Sequence, residues 1–150
     1  MREQRIVRSM RNNNPLNIRR GIARWQGTNQ EFGDKDYVQF LSMVYGWRAA
    51  FILLCVTFHQ KFHLKTLRLI VSRLAPSIEN QTEAYTAYVA RHAGVKADEV
   101  LPPAREDPEL WLRIAWAMFE MEVGAKAIRD TGRQEELHRD MKQGFDLAIK

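Results

Sequence analysis

From Ser42 onward the sequence is divided into segments in which apolar residues recur at helical spacing, and most segments begin or end at capping residues, proline or glycine. This pattern predicts a mainly α-helical fold. The predicted helices are, in chain order, one of about 20 residues capped by Ser42, one from near Thr66 to before Pro76, one from Thr82 to Gly94, one from Pro108 to Gly124, and one from about Arg133 to Ala148. At most one short β element is expected, at Tyr37 to Phe40.

Length and composition predict a single domain over residues 1–150. A chain of 150 residues with 45% hydrophobic residues can bury one sizeable core. The longest apolar stretch, Ala49 to Phe58, is about half as long as a membrane-spanning helix, and no signal-peptide pattern is present. We therefore expect no membrane span and synthesis in the cytoplasm. The lone cysteine, Cys55, lies in this stretch and is expected to pack in the core.

Positive charge is concentrated at the N-terminus. Residues 1–24 contain seven arginines against Glu3, whereas the whole chain has a formal net charge of +5. Residues 1–11 are therefore described as a basic N-terminal arm. Such an arm beside a near-neutral body suits an anionic partner, which would be nucleic acid, a wall polymer or an acidic protein patch. The alternative is a solvated arm that only aids solubility.

The helix predicted from Pro108 carries one acidic residue on its apolar side. At about 100° per residue, three polar residues fall close together and form a solvent-facing stripe: Glu109, Arg113 and Glu120. Glu122 lies about 180° away from Arg113, on the side of Ala115, Met118 and Phe119. Glu122 is therefore predicted to be buried, and the alternative is that the last helical turn frays into solvent.

Burial would give Glu122 the chemistry of a general acid. Apolar neighbours and the negative end of the helix dipole both disfavour the charged form, so both are expected to raise the pKa of Glu122. A carboxylic acid that stays protonated near neutral pH can protonate the leaving oxygen of a glycosidic bond. Gly124 would end the helix beside this carboxyl and leave room for a substrate. Glu122 is therefore the candidate catalytic residue.

Several motifs taken together resemble a family of phage and prophage proteins. The family pattern R-N-N-N-P-G-N-I-R, W-x-G, F and G-x-R-A is similar to residues 11–19, 25–27, 40 and 46–49. The family's R-W-A-P, E-N, T, Y and closing E-x-G are similar to residues 73–76, 79–80, 82, 85 and 122–124. The match spans about residues 11–124, and the combination is more specific than any single motif.

Members of that family are usually described as virion or structural proteins with a lysozyme-like domain. The resemblance implies a lysozyme-like helical domain that targets peptidoglycan glycan strands, with virion or prophage proteins as further partners and action in the virion or at the cell wall. The first motifs also resemble the saccharide-cleft loop of bacterial glucosaminidases, in which the catalytic Glu precedes the loop. Here the Glu-ended helix follows it, so we hypothesise a circular permutation that places Glu122 behind the loop from Asn12 to Trp25.

Glycan recognition usually combines aromatic stacking with hydrogen bonds from amides. Residues of these motifs that supply such groups are the predicted substrate-binding residues: Asn14, Asn17, Trp25, Gln26, Tyr37, Asn80 and Tyr85. For Trp25 the alternative is a core anchor for the loop. A second carboxylate could come from Glu31, Asp34 or Asp36, although lysozyme-like transglycosylases can work with a single Glu.

Two positions depart from the family pattern. Leu16 replaces a glycine, which would be harmful if the position requires φ above zero. Leu74 replaces a tryptophan. These differences bear on whether the loop keeps its shape and whether activity is retained.

The remaining signals predict no metal and no cofactor. His59 and His63 have helical spacing, but neither the glutamate of H-E-x-x-H nor a third ligand accompanies them. The leading interpretation is a peptidoglycan glycosidase or lytic transglycosylase. The alternatives are a non-catalytic glycan-binding or virion structural protein of the same fold, and a nucleic-acid binder that uses the arginine arm.

Overall fold

A computed structural model describes residues 8–29, 34–74 and 79–149, with the side chains of residues 79 and 80 outside that description. The main elements are α1 (Met43–Phe51), a π-helix that continues it (Ile52–Lys61), α2 (Leu67–Leu74), α3 (Glu79–Ala93), α4 (Pro108–Val123), α5 (Ala125–Asp130) and α6 (Gln134–Ile149). Residues 8–11 form an additional helical turn. The predicted mainly α-helical fold is confirmed. None of the described helices is long and apolar enough to cross a bilayer.

The first long helix changes its hydrogen-bonding pattern midway, which the sequence did not predict. Ser42 is its N-cap residue but makes no side-chain capping bond. From Ile52 the helix is a π-helix, and the Phe62 N–H donates to the Thr57 carbonyl at 2.9 Å, a step of five residues. Cys55 is buried in this segment, as predicted, and burial raises the pKa of its thiol.

One helix boundary differs from the prediction, and one short helix was not predicted. α3 begins at Glu79, so Thr82 lies in its first turn, where its carbonyl accepts a bond from the Thr86 hydroxyl at 2.8 Å. The N-cap assignment of Thr82 was wrong, because a threonine within a first turn looks the same in sequence as one that caps it. α5 was missed because its six residues follow Gly124 directly and are too few for a clear periodic pattern.

The predicted β element is reduced to two isolated antiparallel bridges. Tyr37 pairs with Arg19, and Phe40 pairs with Thr28. The two ends of the segment therefore meet different parts of the preceding loop, and the described residues form no continuous ladder here. The segment therefore crosses the loop and pairs with it at two separate points.

An aromatic cluster holds α1 against α4 and α6. Trp47 is fully buried and meets Phe119 edge-on at 5.1 Å between ring centroids, with Trp116 at 6.3 Å on the same helix. Phe51, one turn further along α1, meets Phe145 of α6 edge-on at 5.0 Å. Because large aromatic side chains bury the most apolar surface, this cluster is the centre of the core.

A glycine lets α6 approach α1 closely. A Cβ at Gly144 would lie 2.5 Å from Trp47 Cβ and 2.8 Å from the Val44 carbonyl oxygen, closer than packed atoms tolerate. The backbones of the two helices therefore pack directly against each other.

A second glycine, Gly46, lets the N-terminal loop pack directly against α1. A Cβ at Gly46 would lie 1.9 Å from the Asn13 carbonyl oxygen and 2.9 Å from Pro15 Cδ. Leu16, next in the loop, is 2% exposed and has no positive φ, so the leucine fits this position without strain and fills the core. Leu74 is half-buried and also packs against the core.

Gly46→Ala should destabilise the protein by about 2–3 kcal/mol, the upper part of the range for overpacked cores. The obstructing atom belongs to the Asn13 backbone, which cannot move aside as a side chain would. Urea unfolding would measure the change. Gly21→Ala is the control, because a Cβ there meets no atom within 4 Å. Equal unfolding midpoints for the two variants would show that the loop does not rest on Gly46.

Candidate functional site

A buried asparagine forms the framework of the loop that precedes α1. Asn14 is fully buried, and its Nδ2 donates to the carbonyls of Ile18 at 3.0 Å and Val38 at 2.8 Å. Its Oδ1 accepts from the Ile18 N–H at 2.9 Å, and its own carbonyl accepts from the Ser9 hydroxyl at 2.8 Å. Asn14 therefore holds the loop together and does not face a surface that a ligand could reach.

Two neighbouring asparagines adopt the left-handed backbone conformation that the loop requires. Asn13 and Asn17 both have φ of 51°, a region that asparagine tolerates better than most residues. Asn13 Nδ2 donates to the Phe40 carbonyl at 3.1 Å. The turn directs Asn17 away from the loop and toward α4.

Asn17 contacts the candidate catalytic residue. Its Nδ2 donates to Glu122 Oε1 at 3.1 Å, joining residues 105 positions apart in the chain. The Tyr85 hydroxyl, from α3, donates to Glu122 Oε2 at 3.2 Å. Glu122 is 8% exposed and Tyr85 is 7% exposed. Three elements therefore meet at one carboxyl: the loop, α3 and the last turn of α4.

The predicted burial of Glu122 is confirmed, and the alternative of a frayed, solvated turn was wrong. α4 continues to Val123, and the Gly124 N–H donates to the Glu120 carbonyl at 2.7 Å at the helix end. The opposite stripe does face outward, with Glu109 and Arg113 exposed. Glu120 is half-buried and accepts a bond from the Tyr88 hydroxyl at 2.9 Å.

The other predicted substrate-binding residues lie in different surroundings. Trp25 is half-buried and packs against the core, as the anchor interpretation expects, whereas Gln26 is exposed. Tyr37 is half-buried, and the guanidinium carbons of Arg8 and Arg19 lie 4.7 Å and 4.9 Å from its ring centroid. The side chain of Asn80 lies outside the described residues.

Of the three candidate second carboxylates, one is bound within the loop. Asp34, whose side chain is 3% exposed, forms an ion pair with Arg8 and accepts bonds from the backbone N–H groups of Asp36 at 2.9 Å and Tyr37 at 3.2 Å. The Arg8 hydrogen bond is the main reason that the pKa of Asp34 lies well below its usual range. Asp36 is exposed and also pairs with Arg8, at 3.1 Å, while Glu31 lies outside the described residues.

The ion pair between Arg8 and Asp34 was not predicted, and it assigns one arginine of the basic arm to the folded loop. Arg8 is separated from Asp34 by 26 positions, so no local spacing in the sequence could have revealed their contact. Arg8 therefore belongs to the folded loop and is not part of a solvated arm. Residues 1–7 lie outside the described residues.

The buried histidine of the predicted His59–His63 pair has structural contacts in the described core. His59 Nε2 lies 2.9 Å from the Leu101 carbonyl, its ring meets Trp111 edge-on, and burial lowers its pKa. Among residues 8–29, 34–74 and 79–149, no group of three or more His, Cys, Asp or Glu side chains is arranged to hold a metal ion.

Two surface cavities lie elsewhere. A cavity of about 380 Å³ borders Arg129, Arg133 and Arg139 at the start of α6. Another of about 290 Å³, between α3, α4 and α6, is lined in part by Trp116 and Glu120. Neither of these two cavities is lined by Glu122.

Asp34→Asn should make the protein less stable at pH 7, and this difference should shrink as the pH falls below about 4. A carboxyl whose pKa is lowered by folding contributes stability above its unfolded pKa and loses it as acid protonates the folded form. Urea unfolding at pH 7 and pH 3.5 would measure both. Asp146→Asn, an exposed change on α6, is the control and should be nearly neutral at pH 7. A pH-independent difference for Asp34→Asn would contradict the role of the ion pair.

Comparison with known proteins identifies a phage relative. Protein P5 of Pseudoalteromonas phage PM2 is 32% identical over 146 residues, which is 95% of this chain and 82% of the relative. No family model matches the chain. The relative's phage origin agrees with the source that the motifs indicated, while the lysozyme-like activity stays a prediction. With 32% identity sustained over 95% of its length, the chain belongs to the same family as Protein P5 of phage PM2.

Proposed function

We propose that this chain is a peptidoglycan-targeting, lysozyme-like protein that cleaves a glycosidic bond with Glu122 as general acid. The observation that carries the proposal is the position of Glu122: buried at the end of α4 and hydrogen-bonded by Asn17 of the loop and Tyr85 of α3. A glycosidase needs a carboxyl held in a fixed position beside a loop that can bind sugar.

The chemistry of the two described partners supports a proton-transfer role. Asn17 and Tyr85 are uncharged, and each can reverse its role: a phenol both donates and accepts, and an amide presents N–H or C=O after a half-turn of its side chain. Such partners can hold Glu122 both as a carboxylate and as a carboxylic acid, which a general acid must be in turn.

The loop supports the choice of substrate. Asn17 belongs to the motif that resembles a saccharide-cleft loop, and the hypothesised permutation requires this loop to lie against the helix that ends at Glu122. The hydrogen bond from Asn17 to Glu122 joins this loop to the end of that helix. Gln26, exposed in the same loop, supplies an amide for sugar hydroxyls.

The reaction would then proceed in two proton transfers. Protonated Glu122 gives its proton to the glycosidic oxygen as the bond from that oxygen to the anomeric carbon breaks. The anomeric carbon is attacked by water, or by the sugar's own 6-hydroxyl in a lytic transglycosylase. The attacking oxygen loses a proton to Glu122, which restores the acid. Asn17 and Tyr85 keep the carboxyl in place throughout.

Glu122→Gln should reduce the release of soluble fragments from purified peptidoglycan by at least about 100-fold, the usual minimum effect of a general acid. Turbidity loss and chromatography of the fragments would measure the change. Glu120→Gln is a matched control, because it makes the same change on the same helix at a residue bonded to Tyr88 instead of Asn17. Equal clearing by wild type and Glu122→Gln would remove Glu122 from the reaction.

A second candidate function is favoured by the low exposure of Glu122. At 8% exposed, this carboxyl offers little surface to a substrate, as in a glycan-binding or virion structural protein that has kept the fold and lost catalysis. That function predicts binding of wild type to purified walls without fragment release. Trp25→Ala should then abolish wall binding.

A further inference from the structure

A run of exposed arginines follows the residue that contacts Glu122. Residues 8–29 contain five arginines and no acidic residue. Arg19, Arg20 and Arg24 are all exposed. Arg19 comes two positions after Asn17, so their Cα atoms are at most about 7 Å apart. The exposed arginines therefore belong to the same loop as the residue that hydrogen-bonds Glu122, and the first of them lies close to it along the chain.

The charges of these three arginines are not neutralised within the described chain. The nearby carboxylates, Asp34 and Asp36, are paired with Arg8. Across residues 8–29, 34–74 and 79–149, no carboxylate lies within 4.0 Å of a charged nitrogen of Arg19, Arg20 or Arg24.

Two of the three side chains are nevertheless held in position. Arg20 Nε donates to the backbone carbonyl of Asp34 at 2.6 Å. The Arg19 guanidinium carbon lies 4.9 Å from the Tyr37 ring centroid. Fixing a long side chain beforehand lowers the entropy lost when it binds a ligand. These arginines are therefore oriented, charged and open to a partner.

We propose that Arg19, Arg20 and Arg24 bind the carboxylates of the stem peptides on peptidoglycan, so that the site prefers glycan that carries peptides over uncharged, peptide-free glycan. This inference rests on the proposed function. Guanidinium groups match carboxylates in geometry and charge and can bind them through two parallel hydrogen bonds. A glycan strand lying at Glu122 would bring its peptides to the neighbouring loop.

The experiment compares one glycan with and without its peptides. Purified peptidoglycan strands are divided, and an amidase removes the stem peptides from one half. Cleavage is measured for wild type and for the triple variant Arg19→Gln, Arg20→Gln, Arg24→Gln. Wild type should prefer the peptide-bearing strands by about tenfold, equal to about 1.4 kcal/mol. The triple variant should bring this ratio close to one.

A matched control removes the same charge elsewhere. The triple variant Arg129→Gln, Arg133→Gln, Arg139→Gln changes three exposed arginines around the start of α6 and should keep the wild-type ratio. Raising the salt concentration should lower the ratio for wild type and control, because ion pairs at a surface are screened. If the loop variant does not fold, Arg24→Glu should lower the ratio by itself.

The outcomes separate this inference from the proposed function. Cleavage of both glycans by wild type at equal rates overturns the inference and leaves the glycosidase intact. If wild type cleaves neither, equilibrium binding of the two glycans decides: a preference for peptide-bearing strands lost in the loop variant supports the inference, and equal binding overturns it.

A lipid surface is the competing partner for this loop. Ile22, between the arginines, is 102% exposed, and an exposed aliphatic residue flanked by cations also suits an anionic bilayer. Vesicles containing phosphatidylglycerol provide the test. Vesicle binding that Ile22→Ser abolishes, together with equal cleavage and equal binding of the two glycans by wild type, would assign the surface to lipid and overturn the proposal.

Discussion

The arrangement of the site depends on how closely the N-terminal loop rests on α1. The Asn13 carbonyl occupies space that any side chain at position 46 would need, so the loop and helix meet backbone to backbone at Gly46. Next to this contact, the buried side-chain amide of Asn14 joins two parts of the loop by donating to the carbonyls of Ile18 and Val38. Asn17 is thereby directed at α4, and its hydrogen bond to Glu122 follows from the packing beneath it.

Part of this arrangement could be predicted because it depends on a regular period. α4 is an uninterrupted helix of 16 residues, so a rotation of about 100° per residue placed Glu122 correctly on the buried side. The π-helix, the early start of α3 and the short α5 carry no comparable signal. The shape of the loop could not be predicted either, because the partners of Asn14 and Arg8 lie 24 and 26 residues away.

The sequence shows how many arginines the N-terminal region contains, but it does not show which of them are paired within the fold. Arg8 is used internally, where it holds Asp34 and lies against Tyr37. Arg19, Arg20 and Arg24 remain on the surface. Identical residues in one short segment thus differ in their pairing: the charge of Arg8 is balanced by the carboxylates of Asp34 and Asp36, whereas no ion pair among the described residues involves the three exposed arginines. Leu16 is a second example. Because it replaces a glycine of the motif, the sequence suggested that the loop has a different shape, but the leucine is buried and fills the core.

The contact between α1 and α6 has a consequence for the order of folding. Residues 43–51 can complete their packing only against residues 134–149, nearly a hundred positions later in the chain. Contacts so distant in sequence form slowly, because a long loop must close before they are made. During synthesis the side of α1 that meets α6, including the Phe51 ring that packs on Phe145, stays uncovered until α6 has left the ribosome, so the nascent chain exposes apolar surface up to that moment.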